Sequence, residues 1–442
     1  MKKKKISFQT MFNIVSAVFI LTCCIFYGSR FVKLYTENEK KMVVEANFLG
    51  KILRERNVDT LKKYDEEYYF NGDVNNNYVK YSGLLWRVIK VDENNFVTLI
   101  SDNSLTSLAF GTEKNYENSY VNKWLSSSDD DYSGILERNL NNIDNYLYNI
   151  DVCTDSIDSV NNTDCSSYSN NYFIASLSLK DYINAGASNS FINDGENFYT
   201  SFTTSEGMVW YINKDGKLTT DIGDKFYGVK PVIKFKNTVE IISGNGTKED
   251  PYIVESDFGL FGSYVNLNDD IWRVIDVNDE LIKLMYTDYL KDGEDYISYK
   301  YSIYNNTYDV NKKDTLAYYL NNTYLNSLEY NDLIVSRGYS NGYYGKENDY
   351  DYALTLDNKV KAKVGLISIG DVIINIDLKD YFTMTLSSKK DNFVYTIQDN
   401  NSIQSKYITS LSYIVPVITI NKVDFEGTGT INAPLKVVNV DE

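Results

Sequence analysis

LWRVIKV, at residues 85–91, recurs as IWRVIDV at residues 271–277. In both copies the apolar, β-branched run ends in acidic and Asn-rich turn residues, and a second apolar run follows at residues 96–100 and 281–284. This pattern is typical of two strands joined by a turn. The sequence beyond residue 70 therefore reads as one unit written twice.

The prolines of the chain fall on the same repeat. Pro231 in VKPVI answers Pro416 in IVPVI. Pro251, which follows GNGT, answers Pro434, which follows GTGT. Since the chain holds only these four prolines, their regular placement is strong support for an internal duplication.

Shorter matches indicate what each copy is made of. Residues 209–218 match residues 394–403, and both predict hairpins, the first with an Asp-Gly turn. SLKD at 178–181 pairs with SIGD at 368–371, and we expect each to be a strand. Each copy also holds one patch with apolar residues at helical spacing. These are Val121, Trp124, Leu125, Ile135, Leu136 and Leu140 in the first, and Leu316, Tyr319 and Leu320, capped by Asp314 or Thr315, in the second.

Together these features predict an α+β chain with two tandem β-rich domains, at residues 71–255 and 256–442. Several tryptophans and prolines lie inside the apolar strand or helix patterns and are predicted to be structural rather than functional. They are Trp86, Trp272, Trp124, Pro231 and Pro416.

The N-terminal region predicts a membrane anchor. Lys2 to Lys5 precede an apolar run that reaches residue 28, which is long enough to span a bilayer. The lysines favour a cytoplasmic N-terminus and place the rest outside, so we expect a single-pass signal anchor with extracytoplasmic domains. A cleaved signal peptide is the alternative, and Cys23 and Cys24 are candidates for acylation. Residues 29–70 are predicted to form a helical stalk.

Composition excludes several function classes. The chain has 44 basic and 61 acidic residues, and a net charge of −17 repels nucleic acid. The absence of His removes His general bases, His-activated nucleophiles and His metal ligands, and no cofactor motif is present. We expect a non-enzymatic protein. Outside the anchor only Cys153 and Cys165 remain, and we predict that they form a disulfide. A calcium loop at 151–165 is the alternative, although its spacing does not fit an EF-hand.

Several motifs resemble an uncharacterised domain found in tandem on surface proteins of low-GC Gram-positive bacteria and their wall-less relatives. They are WRVI at 86–89, NKWL at 122–125, LxDYINAG at 179–186, GVKPV at 228–232 and GxGTxxDPY at 244–252. The resemblance covers the first copy, and the second is assigned through the repeat. That domain is distantly similar to the C-type-lectin-like fold shared with the formylglycine-generating, sulfatase-modifying enzymes. The reactive Cys pair of those enzymes and the calcium signatures of the lectins are absent here.

The copies differ most at residues 151–171 and 336–352, and divergent loops carry recognition more often than their scaffold does. The second loop is rich in Tyr, Ser, Gly and Asn, which recognition loops favour. We therefore predict binding through Tyr339, Tyr343 and Tyr344, with Trp210 as a weaker candidate. The expected partner is a cell-envelope glycan or surface protein. The alternative is a structural or assembly subunit of an envelope complex.

Overall fold

The computed structural model describes most of the chain beyond residue 46. The described ranges are 47–111, 115–126, 134–256, 259–278, 280–305, 307–341, 343–344, 359–373, 377–387 and 392–438. The predicted anchor at 1–28 and the first part of the predicted stalk lie outside these ranges. Within them, every helix is too short or too polar to cross a lipid bilayer.

Helices are short and few in the described residues. They are α1 Leu49–Arg56, α2 Tyr120–Leu125, α3 Ile135–Asn139, α4 Ile143–Tyr146, α5 Leu179–Asn184, α6 Leu316–Tyr318 and α7 Leu325–Ser327, with a π-helical turn Tyr319–Tyr324 between α6 and α7, and 3-10 turns at Ala187–Asn189, Asn331–Leu333 and Asp399–Asn401.

Strands make up most of the fold, as the sequence predicts. They are β1 Leu61–Tyr64, β2 Glu67–Phe70, β3 Tyr78–Tyr81, β4 Leu84–Asp92, β5 Val97–Ser101, β6 Thr106–Leu108, β7 Leu147–Tyr148, β8 Ile150–Cys153, β9 Tyr168–Tyr172, β10 Ile174–Ser176, β11 Phe198–Thr203, β12 Val209–Ile212, β13 Leu218–Asp221, β14 Tyr227–Val229, β15 Pro231–Phe235, β16 Tyr252–Ile253, β17 Tyr264–Leu267, β18 Asp270–Val277, β19 Leu281–Tyr286, β20 Lys291–Asp292, β21 Asp295–Tyr296, β22 Ser298–Lys300, β23 Arg337–Ser340, β24 Tyr343–Tyr344, β25 Lys359–Ala362, β26 Val364–Gly365, β27 Tyr381–Ser387, β28 Phe393–Ile397, β29 Ile403–Tyr407, β30 Leu411–Tyr413, β31 Val417–Asn421, β32 Phe425–Glu426 and β33 Leu435–Val437.

The strand order of the first half is repeated in the second. One sheet runs β16-β3-β4-β5-β15-β10 in the first half and β33-β17-β18-β19-β31-β26 in the second. A second sheet runs β13-β12-β11-β14-β6 and then β29-β28-β27-β30-β22. Each strand of these two first-half sheet orders thus has a counterpart in the same place, and we call the halves repeat 1 and repeat 2. The exact domain boundaries stay a prediction.

Register and irregularities repeat as well. Trp86 in β4 lies opposite Ser101, and Trp272 in β18 lies opposite Tyr286. The antiparallel ladder of β4 and β5 shifts register after Val88, and the ladder of β18 and β19 shifts at the matching position. Because a bulge is a specific local feature, its recurrence supports duplication of a complete fold.

The residues predicted to be structural lie in the interior. Trp86, Trp124 and Trp272 are fully buried, and each indole N–H has an acceptor, as buried Trp requires. Pro231 begins β15, while Pro416 directly precedes β31. Proline is tolerated at the first residue of a strand because fewer ladder bonds are lost there.

In the described part of residues 29–70, the helix of the predicted stalk is present at α1 but does not continue beyond it. Helix α1 ends at Arg56, and β1 and β2 then form a hairpin whose second strand pairs with β4. Tyr69 and Phe70 are fully buried in this hairpin. The helical spacing upstream hid the strand signal of the aromatic run EYYF, which packs on a pleated surface better than on a helix.

The strands predicted at SLKD and SIGD are wrong, since SLKD begins helix α5 and SIGD forms a turn in which Asp371 N donates to Ser368 O at 2.9 Å. Ser178 caps helix α5, since its Oγ accepts a hydrogen bond of 3.0 Å from Asp181 N. A Ser with an acid three residues later is a helix-start signal that the repeat match obscured. The other local predictions are confirmed: the hairpins at 209–218 and 394–403, the helices at Trp124 and Ile135, and the Thr315 cap.

The two repeats share buried contacts. The Trp124 indole of repeat 1 donates to the Gly370 carbonyl of repeat 2 at 2.7 Å, and Ile373 N donates to Leu105 O at 2.7 Å. Four buried residues of repeat 2 pack into the main core of repeat 1; they are Phe261, Ile369, Val372 and Tyr395. The repeats are therefore held against each other by core packing as well as by the chain that joins them.

Candidate functional site

Two polar clefts occupy the same place in the two repeats. We call them cleft 1, of about 260 Å³, and cleft 2, of about 210 Å³. Cleft 1 is lined by Lys90 and Thr98, which are cross-strand partners directly after the register shift in β4. Cleft 2 is lined by Asp276 and Lys283, which are the partners directly after the register shift in β18. The two clefts are therefore repeat-equivalent.

Each cleft also receives an aspartate from the SLKD or SIGD motif. Asp181 reaches cleft 1 from the first turn of α5. Asp371 reaches cleft 2 from a turn in which its Oδ2 accepts a hydrogen bond of 2.7 Å from Ser368 N. The motif pair that matches in sequence thus supplies the matching acid of each cleft.

Lys90 lies at the centre of a charge network in cleft 1. Its Nζ lies 2.7 Å from Glu67 Oε1 and 2.8 Å from Asp181 Oδ1. The Tyr69 hydroxyl lies 2.7 Å from Glu67 and 2.8 Å from Asp181, so it donates to one of the two carboxylates. Burial disfavours the charged amine, but the carboxylates outweigh burial and raise the pKa of Lys90. Burial likewise opposes the charged form of Asp181, but Lys90 outweighs it and lowers the pKa of Asp181.

Cleft 2 arranges its charges differently. Lys283 Nζ lies 2.6 Å from Asp371 Oδ1. Asp276 lies 2.9 Å from the guanidinium of Arg138 and accepts a hydrogen bond of 2.9 Å from Asn139, both on helix α3 of repeat 1. Burial would raise the pKa of Asp276, but the attraction of Arg138 and the hydrogen bonds lower it. Cleft 2 is therefore completed by the neighbouring repeat.

The loops that differ between the copies form walls of the clefts. Cys153 and Cys165 line cleft 1, and their predicted disulfide is confirmed with a Cα–Cα distance of 5.9 Å. Tyr168 of the same loop is 60% exposed at the cleft wall. In cleft 2 the wall is β23, which pairs with β25 and contributes Arg337. A common floor thus carries two different walls.

The aspartates of the disulfide loop are engaged in holding its shape. Asp155 accepts hydrogen bonds from Ser166 N at 2.6 Å and from Ser167 N at 3.2 Å. Asp158 accepts from Ser205 N at 2.8 Å. Asp155 and the two cysteines do come together, but sulfurs in a disulfide cannot act as thiolate ligands. The geometry favours a structural loop over the calcium alternative.

Two of the predicted binding residues, Tyr339 and Trp210, are largely buried, and their role in binding stays a prediction. Tyr339 is 3% exposed. Its hydroxyl oxygen lies 3.2 Å from both Lys363 O and Val417 O, which share its proton in the interior of repeat 2. Trp210 is 8% exposed, and its indole donates to Ile157 O at 2.6 Å beneath the disulfide loop. Trp210 packs beneath the disulfide loop, whereas Tyr339 also lines cleft 2, where Lys283 Nζ lies 6.0 Å from the centroid of its ring. The prediction of a recognition loop came from amino-acid composition, and composition does not show which side chains are buried.

Tyr343 and Tyr344 form the short strand β24, which pairs in parallel with β27. Their side chains lie outside the described part of the structure, so their role in binding stays a prediction.

Sequence reasoning missed the charged residues of the clefts. Lys90 and Asp276 were visible as the charged position at which the two copies of the repeated strand differ, and Asp181 and Asp371 as matched acids. A charge inside an otherwise apolar strand is rarely buried without a partner, which was the available signal. The pairing partners Glu67 and Lys283 could not be found without the strand order.

The comparisons with known proteins add no identity. No family model, no curated protein and no solved structure matches this chain.

Proposed function

We propose that this chain is a membrane-anchored, extracytoplasmic binding protein that recognises a polar cell-envelope ligand, a glycan or a peptide segment, through clefts 1 and 2. The observation that carries the proposal is the equivalence of the clefts: one floor, in the same position of two repeats, carries two different walls. A scaffold that keeps a cleft while its walls diverge is the arrangement expected of a binding protein.

The charges of the clefts favour a hydroxyl-rich or amide-rich ligand. Lys90 and Lys283 are already paired with carboxylates inside their own clefts. A strongly charged ligand would have to compete with these ion pairs. Sugar hydroxyls and peptide amides instead can both donate to the carboxylates and accept from the amines.

The location and the fold family follow the same proposal. The lysines and apolar run at residues 1–28 favour a single-pass anchor, and a disulfide is typical of oxidising, extracytoplasmic surroundings. The two repeats would be relatives of the lectin-like domain whose motifs the sequence resembles. The aromatic wall residue Tyr168 suits stacking against a sugar ring or a peptide plane.

The test is binding of the full chain to a panel of cell-wall glycan fragments and envelope peptides. Tyr168→Ala, at the exposed wall of cleft 1, should weaken binding about tenfold, or about 1.4 kcal/mol, with the fold intact. Tyr407→Ala is the matched control, because this tyrosine is 43% exposed and lies on β29 outside both clefts. Equal affinity of the two variants, or no bound member of the panel, would argue against the proposal.

A further inference from the structure

A third pocket lies at the junction of the repeats. We call it the junction pocket; it has a volume of about 290 Å³. Repeat 1 contributes Lys80 and Lys248, and repeat 2 contributes Tyr264, Arg273, Thr428 and Thr430. Three basic residues and four hydroxyl-bearing residues, Ser263 included, therefore line one small space.

Arg273 is the unusual member of this pocket. It is 5% exposed, and its guanidinium lies 4.2 Å from the centroid of the Tyr264 ring. Its Nε–H is buried without a hydrogen-bond partner, and no carboxylate among the described residues pairs with it. Burial lowers the pKa of Arg273, with the Tyr264 side chain opposing. An uncompensated buried charge costs several kcal/mol.

The equivalent arginine of repeat 1 is compensated. Arg87 lies 4.1 Å from the centroid of the Tyr78 ring, as Arg273 lies over Tyr264, but its Nε donates to Asn77 at 2.8 Å and its NH1 lies 3.8 Å from Asp102. The arginine and its aromatic platform are thus common to both repeats. The groups that satisfy the arginine are the difference.

Repeat 2 has lost both compensating groups. The residue before the platform tyrosine is Asn77 in repeat 1 and Ser263 in repeat 2. Thr287 of repeat 2 takes the position of Asp102. The backbone shows the equivalence, because Asp102 N donates to Leu85 O and Thr287 N donates to the equivalent carbonyl, Ile271 O. The Thr287 hydroxyl donates to the same Ile271 carbonyl at 2.7 Å, so its proton is used in a bond to the neighbouring strand β18. Repeat 2 therefore keeps the cation but not its counter-charge.

The surroundings are predominantly basic. The pKa of Lys80 is lowered by burial and then by the nearby Arg273, with Glu255 opposing. Lys248 is 59% exposed at the rim and lies 3.4 Å from Asp102, a carboxylate already shared with Arg87. Tyr264 N donates to Gly429 O at 2.9 Å, which fixes the GTGT turn and its threonines against the pocket.

We propose that the junction pocket binds an oxyanion, the phosphate or carboxylate group of a ligand, with Arg273 as its principal partner. A planar guanidinium takes an oxyanion through two parallel N–H···O bonds. Lys248 at the rim adds attraction, and the Thr430 hydroxyl, which accepts from Ala433 N, supplies a further donor. This site is separate from clefts 1 and 2 and does not depend on the function proposed for them.

The test is thermal unfolding of the full chain in non-ionic detergent, with inorganic phosphate against chloride at equal ionic strength. The midpoint should rise with phosphate in a saturable way, as expected for a ligand that binds only the folded state. Arg273→Met should abolish the saturable rise. It should also leave the protein at least as stable in chloride, because it removes an uncompensated charge. Arg87→Met is the matched control: it should lower the midpoint in both salts and keep the phosphate response.

A second variant tests the site independently if the Arg273→Met protein does not fold. Lys248→Met changes an exposed side chain and should weaken phosphate binding several-fold in calorimetry. Acetate and glycerol phosphate in place of phosphate separate a carboxylate site, a phosphate site and a phosphate-ester site. An equal phosphate response in wild type and Arg273→Met, no saturable response in wild type, or unchanged phosphate affinity in Lys248→Met would overturn the proposal.

Discussion

Lys90 and Asp276 occupy the same position of the repeated strand with opposite charges. Each charge is neutralised by ion-pair partners of the opposite sign. Lys90 recruits Glu67 from the N-terminal hairpin and Asp181 from α5. Asp276 recruits Arg138 from the other repeat. A single substitution in a duplicated strand is therefore accompanied by different partners around it, which gives the two clefts different chemistry on one backbone.

Tyr339 lines cleft 2 and also packs in the core of repeat 2, and its substitution measures the contribution of this packing to stability. Tyr339→Ala should lower the free energy of unfolding by about 3–5 kcal/mol, because it empties a large buried site and removes a hydroxyl that serves two carbonyls. Tyr339→Phe keeps the ring and should cost about 1 kcal/mol. Denaturant unfolding of both variants measures the difference. A Tyr339→Ala protein as stable as wild type would show that this side chain is not in the core.

Glu196 predicts a pH dependence of stability. Burial, and then the neighbouring Asp194, raise the pKa of Glu196 from 4.5 to about 7. The folded state then binds the proton of Glu196 more tightly than the unfolded state does. The resulting contribution to the free energy of unfolding is full below pH 4.5 and is lost as pH rises to about 7. Glu196→Gln should flatten the fall of stability across this window, measured by unfolding at successive pH values.

The control for this prediction is Glu206→Gln, which changes a glutamate on an exposed turn. Its stability profile should follow that of wild type. A Glu196→Gln profile that keeps the full slope would place the responsible proton on another group.

At the scale of elements, the N-terminal hairpin shows what sequence reasoning can and cannot reach. The repeated strands, the hairpins at 209–218 and 394–403, the capped helices and the disulfide all carry local signals, and the structure confirms them. Residues 61–70 have no counterpart in the second copy, so the repeat gave no help there. Their place beside β4 is set by long-range pairing that no local pattern encodes.

This hairpin and the helix before it are expected to be essential to repeat 1. Leu49, Leu53, Tyr69 and Phe70 are fully buried, and each such side chain contributes about 1.5–3 kcal/mol through burial. A chain that begins at residue 71 should therefore lose most of a typical domain stability of about 5–15 kcal/mol. Thermal unfolding of residues 47–442 and 71–442 compares the two.

Val58→Ser in the longer chain is the control, because Val58 is 70% exposed between α1 and β1. It should leave the midpoint unchanged. Equal midpoints for the two chain lengths would mean that residues 47–70 are a dispensable extension. That result would agree with the predicted stalk.

At the scale of the whole molecule, the shared core makes the repeats one assembly. Trp124 was predicted to be a core residue, but its acceptor, Gly370, belongs to the other repeat. The same is true of Arg138, which completes cleft 2. Sequence repeats predict how each copy folds because both copies obey the same local rules. They do not predict the contacts between copies, since those depend on positions at which the copies differ.

The central claim is that ligands bind in the two repeat-equivalent clefts, and hydrogen exchange of the full chain with and without a captured envelope ligand tests it most directly. The account predicts slower exchange on binding in the cleft walls, at β8 and β9 beside cleft 1 or at β23 and β25 beside cleft 2. Unchanged exchange in all four of these strands at a saturating ligand concentration, with protection confined to other strands, would contradict it.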